Sequence, residues 1–351
     1  MEAGTEETNP DLDFEMRPLV SLIIPVFNQK EEYFRRSIES ALAQAHPQLE
    51  IIVSDNHSTN GCTEFLSGIA DPRLRLIKPP YHLQLIQHFA FAGFHANGQL
   101  LSFLPSDDWL EANWLEMMLA VLEKHPDAAF AFCDLRKHVV ESGEVSRYRD
   151  DAYPSRYFTN AEAIRIFGKF ICRDTSAYMV GALIRSGAYF KSGGFHDAGV
   201  RYAGDACMGL GLIKYGGVAY ESRALANYTV WTAKQGKSDA QWSAMACQDI
   251  AKVISWAEND IELRAIAKDA RFCFRKSRIR MSVFFLLAYI KNVIDDRENI
   301  RIHDDFQETL KILSRGWLPK WMTSIFRAAP VICLMSFIKS QFGQSIKSRF
   351  L

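Results

Sequence analysis

Two adjacent carboxylates, Asp107 and Asp108, close the stretch LLSFLPSDDW, Leu100 to Trp109. The apolar part is too short for a typical helix and rich in the large residues of a buried strand, so the acids are expected where a strand stops. In an open parallel sheet, ligands bind beyond the carboxyl ends of the strands, and acids placed there face a crevice rather than the core. Paired carboxylates at such a point can hold a divalent cation or a hydroxyl-rich ligand. A purely local role is also open, because Asp108 could N-cap a helix beginning near Glu111.

The elements that position these acids follow from hydrophobic period. LVSLIIPV, Leu19 to Val26, is apolar on both alternating faces, as in a central parallel strand covered on each side, and Pro25 marks its end. Phe27 and Asn28 then lie on a loop, followed by a helix carrying Phe34, Ile38, Ala41, Leu42 and Ala45 and ending before Pro47. Leu49 to Val53 reads as a second strand that runs into the polar turn Ser54 to Gly61, with Asp55 on the same edge as Asn28. Leu74 to Ile77 is a third strand, Leu85 to His95 a helix, and Leu100 to Leu104 the fourth strand. Leu110, Trp114, Leu115, Met118, Val121 and Leu122 mark a helical face that stops at Pro126.

Alternation of strand and helix predicts an α/β fold with an open, doubly wound, mostly parallel sheet. Further on, the pattern predicts a strand over Ala128 to Asp134, a hairpin around Ser142-Gly143, a helix over Asn160 to Phe170 and a strand over Tyr178 to Ile184. A helix opened by Asp205 follows, then two short strands, Val218 to Tyr220 and Ala224 to Val230, and a helical C-terminal extension from about Ser238. Three strand ends thus offer Asn28, Asp55 and the Asp107-Asp108 pair to one crevice. No G-x-G-x-x-G follows the first strand and no G-x-x-x-x-G-K-S/T occurs, so neither a dinucleotide fingerprint nor a P-loop is present.

Bulk composition excludes other classes. The 351 residues carry 41 Lys and Arg against 41 Asp and Glu, so no global field points to nucleic acid. Seven scattered cysteines without a C-x-x-C pair read as reduced, mostly buried thiols of a cytoplasmic protein. No apolar stretch reaches the roughly 18–20 residues that would span a bilayer. The charge is uneven along the chain. Residues 1–16 hold six acids and no base and read as a solvated tail, whereas Lys311 to Leu351 holds seven bases and no acid. The expected organisation is therefore an acidic tail at 1–16, a catalytic domain at 17–235 and a helical region at 236–351, basic from 311.

The ordered set P-V-F-N at Pro25 to Asn28, V-S-D-N-H-S-T-N-G at Val53 to Gly61, S-D-D at Ser106 to Asp108, G-G-F at Gly193 to Phe195 and A-G-D at Ala203 to Asp205 resembles the family 2 glycosyltransferases of the GT-A fold. The resemblance covers roughly Pro18 to Trp231. It implies that Pro25, Phe27, Asn28 and Asp55 hold the nucleotide base, where a carboxylate accepts the imide N–H that uracil, thymine and guanine offer and cytosine lacks. It also implies Asp107 by the ribose and Asp108 by a metal bridging the diphosphate, with magnesium or manganese suited to an oxygen-only site. Asp205 falls where the family places its general base, although an N-cap is the plain local reading of an Asp opening a helix. The family inverts the anomeric centre, so inversion is expected.

The chain departs from the pattern at four points. Ser106 stands where many members have an acid, Asn60 replaces a frequent Asp, and Gly204 replaces a common Glu. Trp231 replaces a His that often helps to hold metal; a Trp cannot ligate, so it either stacks on a sugar face or packs. His88 is a candidate contact near the diphosphate, against the ordinary reading of a lone histidine as packing or surface.

The expected partners are a nucleotide-sugar donor of the UDP, dTDP or GDP type and a saccharide or lipid-linked acceptor, with no nucleic acid. The basic tail, with Trp317, Trp321, Phe326 and Phe337, suits peripheral contact with the inner face of a membrane, or packing on the catalytic domain, or a homodimer contact. Two rivals differ in class. A nucleotidyltransferase would favour a Gly-rich basic loop after the first strand, which Pro25 to Lys30 lacks. A non-catalytic nucleotide-sugar-binding or scaffold protein is suggested by Trp231 and Ser106.

Overall fold

Strand β1, Val20–Val26, is buried along its whole length. Its one hydroxyl explains how: Ser21 Oγ donates to Glu50 Oε1 at 2.5 Å and accepts the Gly98 N–H at 2.8 Å, so no polar group is stranded. The computed structural model describes residues 17–147, 154–170, 179–196, 199–231 and 239–266. The acidic segment 1–16, Tyr178, the part of the expected helical extension beyond residue 266 and the basic region from 311 lie outside the described residues.

Around β1 lie β2, Leu49–Asp55, β3, Leu74–Ile77, and β4, Leu100–Phe103, all parallel, in the order β3-β2-β1-β4. The sheet continues through β9, Ala182–Arg185, antiparallel to both β4 and β6, Ala128–Val139. Then come β10, Gly217–Val230, parallel to β6, and the two-residue β5, Trp109–Leu110, antiparallel to β10. Short strands β7, Val145–Arg147, and β8, Arg156–Phe158, pair with β6 and β10.

The sheet is doubly wound because its central strands are apolar on both faces. On one face Val20, Leu22, Ile24 and Val26 pack with Phe34, Ile38 and Ala41 of α1, Glu31–Leu42, and with Trp114, Leu115 and Met118 of α3, Trp114–Lys124. Helix α2, Leu85–Phe94, packs on β1 and β2. An aromatic cluster also forms, in which the ring centroid of Phe103 lies 4.9 Å from Phe195, 5.6 Å from Tyr189 and 6.1 Å from Phe89. Five more α-helices are described: α4, Asn160–Phe170, α5, Ser186–Ser192, α6, Gly204–Ile213, and the pair α7, Asp239–Asn259, and α8, Ile261–Ile266.

Three expectations are corrected. Leu110 belongs to β5 and pairs with Ala226, so the helix starts at Trp114. The two strands expected after Gly217 are one 14-residue strand with register shifts between Glu221 and Ala226, because the charged Glu221-Ser222-Arg223 step is absorbed as a bulge. The strand expected from Tyr178 is described only as Ala182–Arg185.

The chain divides into two compact units. The first comprises Met1–Asn160, Ser176–His196 and Gly211–Val230, and the second Ala161–Thr175, Asp197–Leu210 and Trp231–Leu351.

Candidate active site

In the first unit, the carboxyl ends of β1 and β2 lie side by side, with Pro25 opposite Ser54 and Val26 opposite Asp55. The two loops beyond them are locked together. Asn28, at φ 47°, accepts the Thr59 N–H on Oδ1 at 2.7 Å, and its own N–H donates to Ser58 Oγ at 3.0 Å. Asn tolerates this left-handed backbone better than most residues, which explains its use here. Asp55 Oδ1 accepts the Ser58 N–H at 2.8 Å, and Oδ2 lies 3.5 Å from Lys78 Nζ. Phe27 is 48% exposed beside them, with its ring centroid 4.6 Å from that of His82. A flat ring at the mouth of a polar loop pair is suited to covering a nucleobase.

The Asp107-Asp108 loop is gripped from two sides. On one side are Ser37 and Ser40 of α1 and Gln44 just beyond its end. Ser37 Oγ donates to the Pro105 carbonyl at 3.3 Å and Ser40 Oγ accepts the Leu110 N–H at 3.2 Å. Gln44 donates to the Glu111 carbonyl at 2.9 Å and accepts the Leu115 N–H at 3.0 Å. On the other side is Thr229 of β10, whose N–H donates to Asp108 Oδ1 at 2.7 Å and whose Oγ1 donates to the Asp107 carbonyl at 2.5 Å. The capping reading of Asp108 is thereby overturned: α3 begins at Trp114 after Asn113, and the Asp108 carboxylate serves a residue 121 positions away.

Asp108 is 1% exposed. Burial, and then the neighbouring Asp107 charge, push its carboxyl well above the usual range, opposed by the Thr229 N–H and by Arg36. Two adjacent carboxylates bring only oxygen donors, a set that suits a hard divalent cation. Among the described residues no three His, Cys, Asp or Glu side chains converge into a metal cluster.

His88 is buried on α2, with Nε2 3.0 Å from Ser54 Oγ, next to Asp55 in sequence. Burial lowers its imidazole pKa to about 4, against the Ser54 contact and the Asp55 charge, so it is neutral at pH 7. It is an internal packing group behind the β2 end, as a lone histidine usually is.

The second unit holds Asp205 and Trp231. Asp205 is buried in the first turn of α6, and its Oδ1 accepts the Ala206 N–H at 2.9 Å. The segment leading to it is anchored by Asp249 of α7, whose buried Oδ2 accepts the N–H groups of Arg201, Tyr202 and Ala203 at 2.8, 2.6 and 3.3 Å. Sequence reasoning missed Asp249, because nothing in its neighbourhood distinguishes it from a surface acid on a helix. Trp231 follows β10 directly and is partly buried.

Two cavities lie elsewhere in the first unit. One of about 710 Å³, lined by Gln99, Arg185, Lys191 and Lys214, sits at the amino-terminal ends of the strands. Another, of about 730 Å³, lies among Glu111, Arg136, Arg147 and Arg223. Neither hollow is lined by Asp55, Asp107 or Asp108.

Residues 21–186 match the family described as glycosyl transferase family 2. The chain carries a family 2 glycosyltransferase domain. The matched residues include Asn28, Asp55, Asp107 and Asp108, whereas Asp205, Thr229 and Trp231 lie beyond them. An uncharacterized glycosyltransferase of Haemophilus influenzae is 31% identical over 139 residues, covering 38% of this chain and 55% of that protein. The Escherichia coli UDP-Glc:α-D-GlcNAc-diphosphoundecaprenol β-1,3-glucosyltransferase WfaP is 35% identical over 91 residues, covering 26% of this chain and 36% of that protein. These alignments thus span about half or less of the curated relatives. Among solved structures, Staphylococcus aureus TarS 1–349 in complex with UDP-GlcNAc superimposes with a TM-score of 0.60 at 15% identity, covering 86% of this chain and 82% of that one. The shared architecture is the GT-A fold.

Proposed function

We propose that this glycosyltransferase moves a sugar from a nucleoside diphosphate donor to a hydroxyl of a saccharide or lipid-linked saccharide, inverting the anomeric carbon. The observation that carries the reading is the Asp107-Asp108 pair just beyond the end of β4, with Asp108 buried and Asp107 half-buried, on the sheet edge shared with the Asn28–Asp55 loops. The E. coli relative, whose name specifies a UDP-glucose donor and a diphosphoundecaprenol-linked acceptor, supports surface polysaccharide synthesis as the setting.

In this mechanism Pro25, Phe27 and Asn28 shape the base pocket, and Asp55 accepts the imide N–H of uracil, thymine or guanine. Asp107 holds the ribose hydroxyls. Asp108 is the residue to hold magnesium or manganese, which when bound would supply positive charge against the leaving diphosphate. Asp205 takes the proton of the acceptor hydroxyl as its oxygen attacks the anomeric carbon. One C–O bond forms on one face of that carbon while the bond to the diphosphate oxygen breaks on the other, which inverts the centre and releases the nucleoside diphosphate. Trp231 lines the sugar side, where an indole face suits a pyranose ring. The catalytic domain is proposed as residues 17–235. Among the described residues no helix is long and apolar enough to cross a membrane.

The test is a transfer assay with UDP-, dTDP- and GDP-sugars against lipid-linked saccharides, with anomer-resolved NMR of the product. An inverted product formed by the wild type and lost in Asp205→Asn supports the reading. Full activity in that variant removes the proposed base, and donor binding without turnover on any acceptor favours a binding or scaffold role.

A further inference from the structure

Arg36 is the cation nearest in role to the diacid loop, and nothing in the mechanism above uses it. It lies on α1 beside Ser37 and one turn before Ser40, the residues that grip that loop. Its guanidinium carbon sits 3.4 Å from the ring centroid of Trp109, the residue following Asp108, and 5.2 Å from that of Tyr33. Stacking of this kind occupies the face of the guanidinium plane and leaves the N–H fork at its edge. Nε is buried with no hydrogen-bond partner, and Arg36 forms no ion pair among the described residues. It nonetheless feels the charges of both Asp108 and Asp107.

An immobilised guanidinium with unused donors is costly unless an anion completes it. The fork matches two oxygens of one phosphate group, the strongest pairing available to it. Two aspartates on their own would repel a diphosphate. A fixed cation on α1, held against that loop, offsets part of this repulsion without relying on a metal ligand at position 231, where the chain has Trp. From this geometry we infer that Arg36 binds a phosphate group of the nucleotide donor, through its N–H edge, while Trp109 holds the plane in place. The assignment rests on the nucleotide-sugar reading above.

The experiment is calorimetric binding of UDP, GDP and dTDP and of the parent nucleosides to wild type, Arg36→Met and Arg36→Lys, with melting temperatures recorded alongside. Wild type should bind one diphosphate more tightly than its nucleoside. Arg36→Met should weaken the diphosphate at least about tenfold, the scale of a charge-assisted pair, and leave the nucleoside unchanged. Arg36→Lys, which keeps the charge but not the fork, should recover part of the loss, and it serves alone if the Met variant fails to fold. Unchanged diphosphate affinity in the variants overturns the assignment, as does an equal loss for diphosphate and nucleoside, which marks a residue that only positions the loop. A wild type that binds none of the three diphosphates overturns instead the nucleotide reading beneath it.

Discussion

The main-chain N–H of Thr229 reaches Asp108 Oδ1 at 2.7 Å, joining residues 121 apart in sequence. This bond fixes one oxygen of a carboxylate that burial and Asp107 both disfavour in its charged form. Asp108→Asn keeps an acceptor for Thr229 and removes the buried charge. The variant is expected to melt at or above the wild-type temperature while transferase activity falls at least about a hundredfold, the scale of losing a charge aimed at the reacting phosphate. Calorimetric melting and a donor-turnover assay on one preparation check both halves; a melting point several degrees lower would show that the charge is well compensated.

Thr229→Val separates the two bonds that this residue makes. The N–H to Asp108 stays, and the Oγ1–H to the Asp107 carbonyl goes. A loss of roughly 1 kcal/mol in urea unfolding is expected, typical of one hydrogen bond. Turnover should fall less than in Asp108→Asn, because the carboxylate itself is untouched.

His88 sets an acid limit on stability. Its folded pKa of about 4 lies below the ordinary value of 6.5, so between those values the unfolded chain binds the extra proton. Stability from this group is whole above pH 6.5 and is lost as pH falls towards 4, up to about 3 kcal/mol. Urea midpoints at pH 7.0, 5.5 and 4.5 should decline along that window. Replacing His88 with Gln, which can still bond Ser54, should flatten the decline.

Asp249 carries three backbone N–H groups of the segment before Asp205 on one oxygen. Asp249→Ala strands them and should cost roughly 2–4 kcal/mol, the scale of charge-assisted bonds lost together. Hydrogen exchange should rise at Arg201, Tyr202 and Ala203 in particular. Unchanged protection there would mean that the segment is held by other contacts.

Much of the frame was legible because it is written locally. The apolar runs at Val20–Val26 and Leu74–Ile77, and the Asn97-Gly98 stop after α2, depend on neighbours within a few residues. The Asn160–Phe170 helix and the hairpin around Ser142-Gly143 were equally readable. Where reading failed, a distant partner had changed the local answer. Leu110 shares helical spacing with Trp114 and Met118, yet pairing with Ala226 makes it strand. Glu221 and Arg223 look like a turn, but each neutralises the other at 2.9 Å, which lets β10 keep its pairing with β6 through a bulge.

The sequence by itself determined which chemistry was on offer: carboxylates at the ends of apolar strands, within a stretch that matches glycosyl transferase family 2. Side-chain type and strand period suffice for that, since a strand that stops must deliver its next residues to the sheet edge. Tertiary structure alone decided how those carboxylates are held. Thr229 on Asp108, Arg36 on Trp109 and Asp249 under the Asp205 segment are contacts between elements far apart in the chain, made only when the sheet and helices have packed. Burial then sets what each group can do, because the same aspartate that would be an ordinary acid in water becomes, at 1% exposure beside a second carboxylate, a site that calls for positive charge.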